Sequence, residues 1–401
     1  MAILSYLVAL LALLCFTAAA QRVVVADIWK PANSQIASPS NITLSRKALS
    51  VPLTQTSDKT LYRINVSAGT PPQQQSLQLD TGSRRLWVPA TGTSICASSL
   101  ADCANLGSFD SSESSTLDTS GETDTIAYSD GSSVTGQVFS DTFRIGGQAI
   151  SNQVGLLGKQ GTAVYEGVLG IGFPASAPTI NHNLAAQGII SSNRYSIYLN
   201  SLASTTGTII FGGIDLSKFV APLLRVPVIG TDQPIIALTR VATLKGLLPT
   251  IQTSADYSQP IILDTGTSLT VLPTALVDSI NTAMGAQYYP GATNGVTIVP
   301  CSAVTQSLSI NFHFGGILTG PTINVPVSQL VLQGLGSLNG VEMCQFGLFG
   351  SDAANGNFPT TLGDTFLRSA YVLFDLDGGK VGLAQAVVGS ADSLVRKIAE
   401  V

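Results

Sequence analysis

Asp80 and Asp264 sit in nearly identical surroundings: Leu79-Asp80-Thr81-Gly82-Ser83 and Leu263-Asp264-Thr265-Gly266-Thr267, with a proline nine residues past each aspartate, at Pro89 and Pro273. Two carboxylates on two similar turns form a device for moving protons. Like charges held close together cannot both ionise cheaply, so one carboxyl keeps its proton and serves as acid while the other serves as base. Amide hydrolysis needs a water made nucleophilic, a polarised carbonyl and a proton for the leaving nitrogen, and such a pair supplies all three. The two copies lie 184 residues apart. That offset is too long for one hairpin and suits one aspartate on each of two related halves that meet face to face.

The elements that must position these turns are legible around them. Ser76-Leu77-Gln78-Leu79 and Pro260-Ile261-Ile262-Leu263 read as buried strands that break at the aspartate, with Gly82 and Gly266 relieving the backbone two residues on. A second repeated element, Val168-Leu169-Gly170 and Thr361-Leu362-Gly363, follows its aspartate at comparable distance in each half. Strands alternate with turns from Thr60 to about Leu216 and again from Val226 to Ala386, which places a boundary near Ser217–Leu224; helices are expected to be few and short, with Asn183–Gln187 and Thr274–Met284 the best candidates. At 401 residues, with 39 glycines and only 11% charged residues, the chain has room for two β-rich domains. Its net charge of −5, without a Lys/Arg cluster, gives a nucleic-acid backbone nothing to bind.

These motifs, taken together, resemble those of pepsin-like aspartic proteases, and more closely the secreted fungal branch that includes candidapepsins and yapsins. Further landmarks are Gly69-Thr70-Pro71-Pro72-Gln73, Leu86-Trp87-Val88-Pro89, Tyr128-Ser129-Asp130-Gly131-Ser132, Gly167-Val168-Leu169-Gly170-Ile171-Gly172, Phe211-Gly212-Gly213 and Leu362-Gly363-Asp364-Thr365-Phe366. The resemblance runs from Thr60 to Ala386. It implies an all-β fold, a bilobal double β-barrel with the active-site cleft between the lobes, and a secreted endopeptidase that works in acid with no cofactor and no metal. Its implied partners are protein and peptide substrates, met as a monomer. A second reading keeps the scaffold and drops the chemistry: a pepsin-like protein that grips peptides without cutting them.

On this reading residues 1–20 are a signal peptide ending in Ala18-Ala19-Ala20, 21–51 a pro-segment, 52–220 and 221–386 the two lobes, and 387–401 a tail. Arg22, Lys30, Arg46 and Lys47 are the pro-segment cations that would pair with the catalytic carboxylates at neutral pH, and Arg46-Lys47 is a candidate processing point. Once the signal is removed no stable membrane anchor is expected, because Ser393–Val401 lacks the apolar tail of a lipid-anchor signal. The expected destination is extracellular, with an acidic vacuole as the alternative. Asn41-Ile42-Thr43 and Asn65-Val66-Ser67 are glycosylation sequons. Cys15 leaves with the signal; Cys96, Cys103, Cys301 and Cys344 remain and allow three pairings, of which the resemblance and the two-lobe reading favour Cys96–Cys103 and Cys301–Cys344.

The resemblance also assigns roles within the site. Thr81 and Thr265 would bond across to the opposite loop, and Ser83 and Thr267 would place hydroxyls on the outer carboxylate oxygens. Tyr128, at the tip of a hairpin with Asp130, Gly131 and Ser132, would be a flap closing over bound peptide, and Trp87 would bond to its phenol. Asp130 is a candidate partner for a substrate lysine. Three departures stand out. Arg84-Arg85 replaces a usual Ser followed by Asp or Asn, Ser129 replaces a glycine after the flap tyrosine, and no pocket phenylalanine is evident near Asn152-Gln153-Val154-Gly155. Two desolvated cations beside the dyad would lower its first pKa, whereas arginines facing water would do little.

Other chemistries find no support. His182 and His313, the chain's two histidines, stand at no ligand spacing, and no nucleophile-elbow motif is present. Gly170-x-Gly172-x-x-Ala175 echoes a dinucleotide fingerprint, but Pro174 breaks the helix that such a motif requires.

Overall fold

In the computed structural model, residues 24–29, 53–55 and 61–397 are described, apart from 176–177, 247, 290–295, 317 and 353–357. The signal peptide, the Asn41 sequon, and Arg22, Lys30, Arg46 and Lys47 lie outside the described residues.

The alternating apolar pattern of the first half builds an eight-stranded sheet in the order 53–55, 62–68, 73–80, 168–170, 86–89, 148–162, 133–145, 118–127. The second half repeats the plan with an eight-stranded sheet that includes 235–245, 259–263, 270–273, 308–314 and 361–362. A six-stranded sheet joins the halves, pairing Arg194–Tyr198 from the first with Ala370–Asp375 from the second. The all-β, two-lobed architecture implied by the resemblance is the one observed.

Asp80 ends, and Asp264 immediately follows, a strand threaded through the middle of its sheet. Gln73–Asp80 runs parallel to Val168–Gly170, with Asp80 opposite Gly170, and Gln259–Leu263 runs parallel to Thr361–Leu362. The strands that follow the two turns, Leu86–Pro89 and Thr270–Pro273, close on the other side of the same short segments in antiparallel register. Glycine is required there by close approach. A Cβ on Gly170 would stand 2.4 Å from the Arg85 nitrogen, and one on Gly363 would stand 2.2 Å from the Thr267 oxygen. The repeated apolar-Leu-Gly element is therefore the support against which both Asp-Thr-Gly turns are moulded.

Packing fixes this frame. Leu77, Leu79, Leu169, Leu263 and Leu362 are all buried in one continuous core, and Trp87 anchors a second cluster with Ile95, Ile126, Val134 and Leu156. A buried contact crosses the lobes where Arg368 Nε donates to the Tyr62 hydroxyl at 3.1 Å. The helix Thr274–Met284 has the predicted bounds and buries Leu276, Val277 and Ile280, whereas the helix predicted at Asn183–Gln187 begins earlier, at Ile180–Ala186, after Thr179 caps it.

Two edge strands had no expectation attached to them. Val24–Trp29 pairs antiparallel with Thr206–Phe211 at the rim of the six-stranded sheet, where a β-branched run meets unpaired backbone groups. Val395–Lys397 pairs with Gly213–Asp215, and the buried Asp215 carboxylate accepts from Leu394 N at 2.7 Å and Ser393 Oγ at 3.0 Å. The disulfides are Cys96–Cys103 and Cys301–Cys344.

Candidate active site

The two Asp-Thr-Gly turns meet at the lobe interface and are bonded to one another. Thr81 Oγ1 donates to the Leu263 carbonyl at 2.9 Å and Thr265 Oγ1 to the Leu79 carbonyl at 2.7 Å. In return Thr81 N donates to Thr265 Oγ1 at 3.2 Å and Thr265 N to Thr81 Oγ1 at 3.0 Å. Both threonines are fully buried, so these four bonds are made away from water and fix the relative position of the turns.

That lock brings the carboxylates together. The single N–H of Gly82 donates to Asp80 Oδ1 at 2.8 Å and to Asp264 Oδ1 at 3.0 Å, so both oxygens crowd one donor. Gly266 N donates to Asp264 Oδ1 at 2.7 Å, and a Cβ on Gly266 would stand 2.8 Å from Asp80 Oδ1. Neither glycine leaves space for a side chain. The outer oxygens are held by hydroxyls: Ser83 Oγ donates to Asp80 Oδ2, and Thr267 Oγ1 donates to Asp264 Oδ2 at 2.6 Å. All the residues singled out around the two aspartates thus converge on one point.

Electrostatics follow from this crowding. Burial, with the neighbouring Asp264 carboxylate second, holds the Asp80 carboxyl well above the usual carboxylate range, although Ser83 and Gly82 pull the other way. Behind the second turn lies another buried acid, Asp364, also raised by burial; Arg368 lowers it in part and Asp264 raises it further. The Leu362-Gly363-Asp364-Thr365-Phe366 landmark marks this segment in the sequence, but no local signal announces that its acid is buried. Its burial arises only when the second supporting segment is packed behind the turn.

The hairpin Asp118–Ala127 with Ser133–Ile145 carries Tyr128 at its tip, where Tyr128 N donates to the Ser132 carbonyl at 2.9 Å and Gly131 adopts φ +85 to close the turn. Trp87 Nε1 donates to the Tyr128 hydroxyl at 3.0 Å. Burial and then the charge of Asp80 push the Tyr128 phenol upward. Asp130 is exposed, and its Oδ1 accepts from Ser132 N at 2.9 Å and Ser132 Oγ at 2.7 Å, so one oxygen braces the hairpin tip.

The two arginines do not face the dyad. Arg84 Nη1 lies 3.1 Å from Asp232 Oδ1 and Arg85 Nη2 donates to Asp124 Oδ2, with side chains 45% and 42% exposed. Half-solvated and already paired, they leave the raised Asp80 to burial and Asp264. Two glutamines also bind the turns, and sequence reading offered no signal for either. Gln78 Nε2 donates to the Gly266 carbonyl and Gln233 Nε2 to the Gly82 carbonyl, both at 3.1 Å and both across the lobe interface. The Asn65 sequon lies in the strand Tyr62–Ala68, with Asn65 half-buried and Ser67 buried. Among the described residues no group of three or more His, Cys, Asp or Glu side chains is arranged to hold a metal, and no helix is long and apolar enough to cross a membrane.

Comparison with known proteins agrees with this geometry. The model of the eukaryotic aspartyl protease family matches residues 61–386. A protein named probable aspartic-type endopeptidase opsB, from Aspergillus fumigatus, is 34% identical over 357 residues, covering 85% of this chain and 71% of that protein. Secreted aspartic protease 8 of Candida albicans is 35% identical over 343 residues, covering 83% and 78% of the two chains. Candidapepsin-3 of the same species is 33% identical over 365 residues, covering 88% and 86%.

Proposed function

This chain belongs to the eukaryotic aspartyl protease family and is an aspartic-type endopeptidase acting on peptide or protein substrates; from that premise we propose that Asp80 and Asp264 are its catalytic pair. The observation that supports the assignment most directly is the Gly82 N–H shared between Asp80 Oδ1 and Asp264 Oδ1. The crowded carboxyls keep one proton between them, in line with the raised Asp80 carboxyl, and the cycle is written with that proton on Asp80. Asp264 takes a proton from water as the water oxygen attacks the scissile carbonyl carbon, and Asp80 gives its proton to the carbonyl oxygen. Collapse of the tetrahedral species returns the hydroxyl proton to Asp80 and passes the proton on Asp264 to the leaving nitrogen, which regenerates the starting state.

Thr81, Thr265, Gly82 and Gly266 are proposed to hold the carboxylates in register, and Ser83 and Thr267 to orient their outer oxygens. Tyr128 is proposed as the flap residue that closes over substrate and excludes water, with Trp87 positioning its phenol. Asp130 keeps one carboxylate oxygen outside its bonds to Ser132 and is proposed to receive a basic substrate side chain there. Asp130→Thr should then lose cleavage after lysine while keeping cleavage at apolar residues, and an unchanged lysine preference in a peptide-library digest would remove this role. The reading is completed by a two-lobe division near residue 220, a removable pro-segment, glycans at Asn41 and Asn65, a monomeric mature enzyme without a membrane anchor, and an extracellular or acidic-vacuolar location.

The test of the catalytic reading is digestion of a denatured protein at about pH 3–5, the acid side of a carboxylate pair, with and without pepstatin. Cleavage that pepstatin abolishes is expected. Cleavage that persists undiminished in its presence would reject the dyad mechanism.

A further inference from the structure

The flap strand Asp118–Ala127 is the outermost strand of its sheet, paired on one side with Ser133–Ile145, and only Ile126 is fully buried along it. Such a strand has little packing of its own to fix its height above the catalytic turn. Its inner edge is tied to the catalytic segment at two levels. Near the tip, Trp87 Nε1 donates to the Tyr128 hydroxyl at 3.0 Å. Lower down, Arg85 Nη2 donates to Asp124 Oδ2. Arg85 lies two residues before Trp87 and Asp124 four residues before Tyr128, so the two contacts form successive rungs between the same pair of segments.

Both ends of the lower rung are anchored. The Arg85 carbonyl accepts from Gly170 N at 3.0 Å, which binds the arginine's backbone to the support behind the turn. Thr125 N donates to Asp124 Oδ1 at 2.7 Å, leaving Oδ2 to meet the guanidinium. The bond from Arg85, together with that from Thr125, holds the Asp124 carboxyl below its ordinary range. Arg84 points elsewhere, to Asp232 in the other half of the chain.

The geometry points to Arg85 and Asp124 as a positioning pair that holds the flap stem against the catalytic segment, so that Tyr128 meets Trp87 before substrate arrives. This rests on the reading of Tyr128 as the flap residue. Preorganising a closing element lowers the cost of ordering it on binding, so the pair acts on KM more than on the chemical step. Both side chains are partly solvated, which limits the effect to a few-fold.

The test uses the acid-activated enzyme, made from a chain carrying Trp29→Phe so that Trp87, the other of the two tryptophans, is the sole emitter even where the pro-segment stays attached. Arg85→Ser and Asp124→Asn are each expected to raise KM about two- to fivefold with kcat changed less, and to shift Trp87 emission to the red with greater acrylamide quenching. The double variant should be no worse than either single, Arg85→Lys should recover most of the loss, and the reversal Arg85→Asp with Asp124→Arg should outperform both singles. Arg84→Ser removes the same charge and should leave the emission where it was. Additive effects of the two singles, or wild-type KM and emission in both, would overturn the proposal. Tyr128→Phe separates the failures. If that variant impairs KM while the pair variants do not, the pair alone falls; if it too changes neither KM nor emission, the flap reading falls and the pair with it.

Discussion

Thr81 and Thr265 are mutually bonded across the lobe interface, each hydroxyl accepting from the other's amide and donating to a carbonyl of the other's strand. The relationship is nearly symmetric although the residues are 184 positions apart, and it makes the separation of the two carboxylates a property of the backbone.

Removing one hydroxyl from this exchange leaves a buried amide and a buried carbonyl without partners, each at a penalty of about 1–3 kcal/mol. Thr81→Val should therefore lower kcat by about tenfold or more and depress the urea midpoint, whereas Thr81→Ser, which keeps the hydroxyl, should retain most activity. Equal losses in the two variants would show that the methyl group, and not the hydrogen bonds, matters at this position.

Asp80 and Asp364 are both raised by burial, and the sign of their effect on stability follows from linkage. The unfolded chain releases these protons at the ordinary carboxylate pKa of about 4, while the folded chain holds them to higher pH. Their contribution is complete below the unfolded value and is lost as pH rises toward the folded one. Urea midpoints should accordingly fall between about pH 4 and neutrality, and Asp364→Asn should flatten that slope. A wild-type slope in Asp364→Asn would show that this carboxyl does not govern the loss.

The disulfides close loops of very different length, with sequence separations of 7 for Cys96–Cys103 and 43 for Cys301–Cys344. Loop-closure entropy gives about 2 kcal/mol for the shorter and about 4 kcal/mol for the longer. Alanine replacement of Cys301 and Cys344 together should lower the urea midpoint more than the same change at Cys96 and Cys103. The reverse order would mean that native contacts around the short loop dominate.

Gly363→Ala would drive a methyl group to 2.2 Å from the Thr267 oxygen and 2.4 Å from that of Leu269. Relief requires the second Asp-Thr-Gly turn to move. Overpacking of this kind costs about 1–3 kcal/mol, and activity should fall together with thermal stability. A variant with wild-type kcat and Tm would show that the support yields without disturbing Thr267.

Much of this was legible in the chain because it is local or repeated. The strand-to-turn breaks at Asp80 and Asp264, the hairpin around Tyr128, and the helix Thr274–Met284 follow from apolar patterning and turn residues within a few positions. The contacts that escaped reading join residues far apart in sequence. Gln78 reaches Gly266 and Gln233 reaches Gly82 across the lobes, and neither glutamine has a local signature. The direction taken by Arg84 and Arg85 depended on Asp232 and Asp124, whose proximity exists only in the folded chain. The strands Val24–Trp29 and Val395–Lys397 form because sheet edges elsewhere offer unpaired backbone, which short segments cannot announce by themselves.

The most direct measurement is kcat/KM on an internally quenched peptide at acid pH for wild type, Asp80→Asn and Asp264→Asn, each shown by circular dichroism to be folded. An amide at either position cannot complete the proton exchange, so both variants should lose activity by about a thousandfold or more. A folded single variant that cleaves at a rate near that of the wild type would contradict the two-carboxylate account.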